Sequence, residues 1–301
     1  MSNEITRKTT EYWWKRSLSC AEALFTILNR GAGVELEVEE QASHVLAGGI
    51  LNQGHACGML WGAALAAGAR ARARFKRSEE AAAAALGVTA LAADEFRGLA
   101  GAMDCREIIG RDLTTVSGKL AYVAWGGAAV CTRLALKWAP KAHDLIQEGL
   151  AGFDPGGLTQ PPRNCAMETM KRLAGPLGLD LENAPVWVAG FAGGLGLKGN
   201  ACGALAGGIL ALALKYYQAH RGQPRDSMLK ALAQEAGLAR DFARLPSLLR
   251  AEFDRRFHTE VCREIMSGRF AGQDDLSTFL ADGGCQEVIG FVADRAKAAD
   301  S

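Results

Sequence analysis

The sequence has little that would mark it for nucleic acid or membrane. Its charges nearly cancel, with 34 Lys and Arg against 33 Asp and Glu in 301 residues. The balance also holds in each half, at 17 basic against 16 acidic residues over 1–150 and 17 against 17 over 151–301. No global field is available to recruit a polyanion. The longest apolar run, Ala201 to Leu214, has 14 residues and stops at Lys215, short of the roughly 20 needed to span a bilayer. The first residues, MSNEITRKTTEYWWKRSLSC, carry charges on both sides of their aromatics and lack the apolar stretch of a secretory signal. The expectation is a cytoplasmic protein that binds neither nucleic acid nor membrane. A phosphate loop, a Ser-His-Asp arrangement and a dinucleotide fingerprint are missing too; Gly193-Gly194-x-Gly196 has no preceding β-strand pattern. No constellation of acid–base groups points to a catalytic site.

Cysteine is present, eight times, and it is ordered. In a reducing compartment eight thiols point to metal binding or redox chemistry more than to structural crosslinks. Cys20 to Cys57 and Cys165 to Cys202 are each 37 residues apart. Laying Cys57 on Cys202 also superimposes Gly48 on Gly193, Gly49 on Gly194, Gly54 on Gly199, Gly58 on Gly203 and Gly62 on Gly207. The string Cys-Arg-Glu-Ile then occurs at Cys105 and again at Cys262, and a fourth cysteine follows in each half, Cys131 and Cys285, after a Gly-Gly pair. The chain is an internal duplication. It divides into a first four-cysteine module over 1–151 and a second over 164–301, joined by a linker at 152–163 (GFDPGGLTQPPR) whose glycines and prolines interrupt regular structure.

The pattern between cysteines is helical. Ala21–Leu28, Gly203–Tyr217, Ser227–Ala236, Leu248–Met266 and Gln286–Ala298 are rich in Ala, Leu, Glu, Lys and Arg, with apolar residues three and four apart. These features predict an all-α fold of two pseudo-symmetric helical bundles, a single chain that mimics a dimer. Ser19 and Asn164 are good N-cap residues and place Cys20 and Cys165 on first helical turns. Cys57 and Cys202 follow glycine-rich turns and open apolar helices, and Cys285 opens the last one. Such helix starts favour thiolate over thiol. Cys105 and Cys262 are expected late in helices that Gly110 and Gly268 terminate.

Each set of four cysteines reads as one redox or metal site. Cys20, Cys57, Cys105 and Cys131 form the first set, and Cys165, Cys202, Cys262 and Cys285 the second. An iron–sulfur cluster, a structural zinc ion and reversible disulfides all suit thiolates at helix ends, although the close Cys-x-x-Cys pairs usual for zinc are absent. The pattern resembles the C_GCAxxG_C_C family of redox-active proteins, a module also found in split-Soret cytochromes. Asn164-Cys165-Ala166, GNACGALAG around Cys202, Cys262 and Cys285 carry the resemblance in the second half. Ser19-Cys20-Ala21 and GHACGMLWG carry it in the first, where His55, Met59 and Trp61 stand for Asn200, Ala204 and Ala206. The resemblance implies an iron–sulfur cluster in each module, two per chain, serving electron transfer or redox sensing with a partner protein. No haem-attachment Cys-x-x-Cys-His occurs.

Three further features stand apart. Arg70, Arg72, Arg74, Lys76 and Arg77 form a basic run that reads as a solvated helix end, or as a dock for an acidic partner. Trp13 and Trp14 read as a core cap or a docking surface. His258, four residues before Cys262, would lie one helical turn from it, as a ligand or a hydrogen-bond donor to sulfur.

Overall fold

The computed structural model describes residues 2–15, 19–158, 162–221, 241–268 and 270–300. Among these residues all regular structure is helical, apart from two isolated antiparallel β-bridges, Ala56 with Asp104 and Ala201 with Val261. The first half runs α1 (Ser2–Lys15), α2 (Cys20–Gly31), α3 (Glu37–Ala42), α4 (Gly58–Arg74), α5 (Ser78–Ala100), α6 (Cys105–Ile109), α7 (Val116–Ala124) and α8 (Gly127–Ala151). The second half runs α9 (Cys165–Leu177), α10 (Ala184–Trp187), α11 (Gly203–Ala219), α12 (Asp241–Phe257), α13 (Cys262–Ile265), α14 (Gln273–Ala281) and α15 (Gln286–Asp300). The expected helix at Ser227–Ala236 lies outside the described residues.

The caps form as the sequence predicts. Ser19 Oγ accepts from the Glu22 amide at 3.3 Å and Asn164 Oδ1 from the Met167 amide at 3.0 Å, satisfying donors that the first helical turn leaves free. The apolar helices α4 and α11 are buried almost all round. Small residues let them approach their neighbours: a Cβ on Gly62 would meet the Ala21 carbonyl oxygen at 2.6 Å, and one on Gly207 the Ala166 carbonyl oxygen at 3.4 Å. α2 thus crosses α4 as α9 crosses α11.

The two bundles pack reciprocally. α4 meets α10 of the second half while α11 meets α3 of the first, the pattern of a self-complementary two-fold contact. One hydrophobic core runs through both halves. Trp61 sits at this junction, fully buried, with its ring edge-on to Phe191 at 4.7 Å and its indole N–H donating to the Ala56 carbonyl at 3.0 Å. Trp61, which stands where the second copy has Ala206, therefore fills space between the bundles. No helix is long and apolar enough to cross a membrane among the described residues.

Three sequence expectations are corrected. Cys105 and Cys262 begin the short helices α6 and α13 and do not lie late in longer ones. The reason is tertiary: the bridges at Asp104 and Val261 hold the preceding residues extended. The continuous helix expected over Leu248–Met266 breaks after Phe257, where His258 takes φ +60°. His258 is exposed and does not lie one helical turn before Cys262. In the basic run, Arg70 and Arg72 turn inward, Arg70 donating to the Leu28 carbonyl at 2.6 Å and Arg72 pairing with Glu182, while Arg74, Lys76 and Arg77 are exposed. Trp13 is half-buried and donates to Thr132 Oγ1 at 2.9 Å; the Trp14 side chain lies outside the described ones.

Candidate redox centres at two four-cysteine sites

Each site is built on a backbone segment that ordinary residues avoid. Gly48, Gly49, Ile50, Leu51 and Asn52 all have φ between +50° and +74°, and Gly193, Gly194, Leu195, Gly196 and Leu197 lie between +61° and +73°. Each run is a left-handed turn that leads to the second cysteine of its set. A non-glycine residue in this region costs roughly 1–2 kcal/mol. Such strain persists only where the surroundings over-determine it, and it clusters at functional sites. The same bonds hold both turns: Gly54 N–H to Gly48 C=O at 2.9 Å and His55 N–H to Gly49 C=O at 3.3 Å, matched by Gly199 to Gly193 at 2.9 Å and Asn200 to Gly194 at 3.0 Å.

The turns aim amides at sulfur. The backbone N–H of Gly48 reaches the Cys20 sulfur, and that of Gly193 reaches Cys165. The second and third cysteines of each set are clamped together through main chain. The Cys57 amide donates to the Met103 carbonyl at 2.8 Å and the Cys105 amide to the His55 carbonyl at 2.7 Å. In the second half Cys202 donates to Glu260 and Cys262 to Asn200, both at 2.7 Å. A Cβ on Gly58 would collide with the Cys20 sulfur, which is why glycine follows Cys57.

The fourth cysteine arrives by a different register. Tyr122 and Phe279 are equivalent, each with its ring against the backbone of a Gly-Gly pair, at Gly127 and Gly284. Cys285 directly precedes α15, whereas Cys131 lies inside the first turns of α8. The difference of three residues is close to one helical turn, so both sulfurs come from the same side.

All eight thiols are free, and within each half they act on one another. Cys57 is pushed well up, first by its hydrogen bond to Cys20, then by burial and by the charges of Cys20, Cys105 and Cys131. Burial, reinforced by Cys20, pushes Cys105 far up and Cys131 to about 11; a hydrogen bond from Tyr122 works against the latter. In the second set burial raises Cys165, burial with the charge of Cys165 raises Cys202 to about 12, and burial with neighbouring thiolates raises Cys262 and Cys285 strongly. Cys20 is the exception. The Cys57 thiol donates to it, and that bond, against burial and with help from the Gly48 amide and His44, lowers it to about 7. Cys20, Cys131 and Cys285 are partly exposed and the other five are buried, so each site opens to solvent on the side of its fourth cysteine.

A polar seam, which the sequence reading does not single out, joins the two sites. Asn200 Oδ1 accepts from the Ala56 amide at 2.9 Å and the Ala201 amide at 2.7 Å, and its Nδ2 donates to Asp104 Oδ1 at 2.5 Å. Ala56 and Ala201 immediately precede Cys57 and Cys202. His55, the residue aligned with Asn200, pairs with Glu260 Oε2 at 3.0 Å, and Arg250 donates to Glu260 Oε1 at 2.5 Å. Burial works to raise the Glu260 carboxyl, but His55 and Arg250 outweigh it and hold it low. His55, Asp104, Arg250 and Glu260 border a cleft of about 420 Å³ between the halves. The available signal was the pair of polar residues, His55 and Asn200, at one repeat position beside buried cysteines.

The family model described as "Putative redox-active protein (C_GCAxxG_C_C)" matches the chain twice, over residues 18–145 and 163–299. No curated protein and no solved structure shows significant similarity to it. The two matches cover most of the sequence and carry one four-cysteine set each, so the chain belongs to the C_GCAxxG_C_C family of redox-active proteins, as a tandem pair.

Proposed function

We propose that each set of four cysteines holds one iron–sulfur cluster and that the chain transfers electrons between protein partners. The observation that carries this reading is the state of the bare thiols. Seven of the eight are raised above the ordinary thiol value, by burial in all of them and by neighbouring cysteines of the same set in all but Cys165, and a cationic iron core would supply the charge that lets them ionise and bind. Backbone amides at Gly48 and Gly193 would hydrogen-bond sulfur, one of the factors that sets cluster potentials. A single tetrahedral zinc ion needs its sulfurs about 3.8 Å apart, given metal–sulfur bonds of about 2.3 Å. Among the described residues no three His, Cys, Asp or Glu side chains are drawn together closely enough to hold one ion.

A second reading rests on Cys20 and Cys57, hydrogen-bonded to each other with Cys20 at about 7. A low thiolate beside a second thiol is the arrangement of a pair that oxidises to a disulfide, passing two electrons to an external oxidant and losing the one proton left on the thiol. The second half lacks its equivalent, since Cys165 is raised. Anaerobic purification followed by iron, zinc and acid-labile sulfide analysis separates the readings. Clusters give brown protein that bleaches on reduction, with iron and sulfide present. Zinc without sulfide selects a structural ion, and colourless metal-free protein whose thiols vanish in pairs on mild oxidation selects the disulfide.

A further inference from the structure

Helix α7 has its apolar residues on the outside. Val116, Leu120, Val123 and Trp125 are 76%, 66%, 75% and 73% exposed, and no residue of α7 is buried. The chain contains its own control, because α14 occupies the equivalent place in the second half. There Leu276 and Leu280 are buried, α5 lies against the helix, and Asp274, Asp275 and Asp282 face solvent. Among the described residues α7 packs chiefly on α8. The charge differs in the same sense: Arg106 to Lys141 holds six basic and two acidic residues, while the equivalent stretch, 263–298, holds four basic and six acidic. At the patch, Arg111 lies over the Trp125 ring at 5.6 Å, Lys119 is exposed on the helix, and Asp112 is paired with Arg106.

The position of the patch matters more than its composition. Tyr122, on the same helix, hydrogen-bonds Cys131, the partly exposed cysteine through which the first site opens to solvent. A protein seated on Val116, Leu120, Val123 and Trp125 would be one helix thickness from that sulfur. We propose that α7 is the docking surface for an acidic electron-carrier protein that exchanges electrons with the first site. The exposed apolar side chains supply the contact and the basic rim selects and steers the partner. Four side chains with a charged rim suit the small, transient interfaces of electron-transfer pairs. In the exchange one electron leaves the reduced carrier and reduces the oxidised first centre; no bond forms or breaks.

The proposal rests on the redox reading of the cysteines, and the test keeps the two apart. The anaerobically purified chain is mixed in stopped flow with dithionite, and separately with a reduced acidic ferredoxin as probe. Wild type is compared with the double variant Leu120→Glu/Val123→Glu and with Lys119→Glu, all exposed positions. The expected result is reduction of the chain by ferredoxin at least tenfold slower in the double variant, several-fold slower in Lys119→Glu, and slowed by salt in wild type, with reduction by dithionite unchanged across the variants. Equal ferredoxin rates in wild type and variants would overturn the docking proposal and leave the redox reading standing. Binding of wild type, but not the double variant, to anionic phospholipid vesicles would overturn it in favour of a membrane surface. A wild-type dimer that the double variant dissociates would overturn it in favour of a second copy. Failure of dithionite to reduce any form would remove the redox reading, and the docking proposal with it.

Discussion

At the scale of single residues, the left-handed turns are where sequence and function meet most tightly. Gly49 and Gly194 have positive φ, and a Cβ on either would collide with backbone, of His55 in one case and of Gly199 and Asn200 in the other. Gly101 also has positive φ, +81°, but a Cβ there meets nothing. Gly49→Ala and Gly194→Ala should each destabilise by at least about 3 kcal/mol, against about 1 kcal/mol for Gly101→Ala, read from denaturant midpoints. Asn200 is a second sensitive position. Asn200→Ala strands two buried amides and should cost about 2–4 kcal/mol. A third prediction concerns pH. Burial, and then the charge of Arg70, lower His143 from its ordinary 6.5, and its Nδ1 accepts from the Arg70 guanidinium at 3.0 Å. The neutral ring is the native form, so stability should be full above about pH 6.5 and fall as pH drops below it, where the unfolded chain takes up a proton the folded one resists. His143→Gln should flatten melting temperature between pH 7.5 and 5.5, and an unchanged slope would contradict the assignment.

Elements show why some of this was legible and some was not. The caps at Ser19 and Asn164, the glycine-rich turns and the repeat itself are local signals, and the structure places them where the sequence does. The start of α6 at Cys105 and of α13 at Cys262 was not legible, because the bridges that fix those starts come from Ala56 and Ala201, distant in sequence. Nor was the handedness of the turns, since Ile50, Leu51, Leu195 and Leu197 give no hint that they sit at positive φ. The unequal spacing from the third to the fourth cysteine, 26 residues in the first half against 23 in the second, is a one-turn register shift. One chemical difference survives that shift: Tyr122 hydrogen-bonds Cys131, whereas its counterpart Phe279 has no hydroxyl. A donor to sulfur stabilises the reduced, more negative cluster. With a cluster in each site, as proposed, Tyr122→Phe should therefore lower the reduction potential of the first and leave the second unchanged, which a redox titration followed by electron paramagnetic resonance would resolve.

For the whole molecule, the duplication was readable from cysteine spacing, but the intimacy of the pair was not. Asn200 and His55 cross the seam, α4 and α11 each bury a face against the other half, and a single core runs through both. Residues 162–301 expressed alone should therefore form a homodimer or a molten species, and adding residues 1–161 should restore a cooperative one-to-one complex, as sedimentation and thermal unfolding would show. The central claim is that each half carries its own four-thiolate centre, and the most direct measurement is iron and acid-labile sulfide per chain in anaerobically purified wild type, Cys57→Ser, Cys202→Ser and the double variant. The account predicts that each single variant loses about half of the iron and sulfide and that the double variant loses all of it. Wild-type protein free of both iron and sulfide would contradict it.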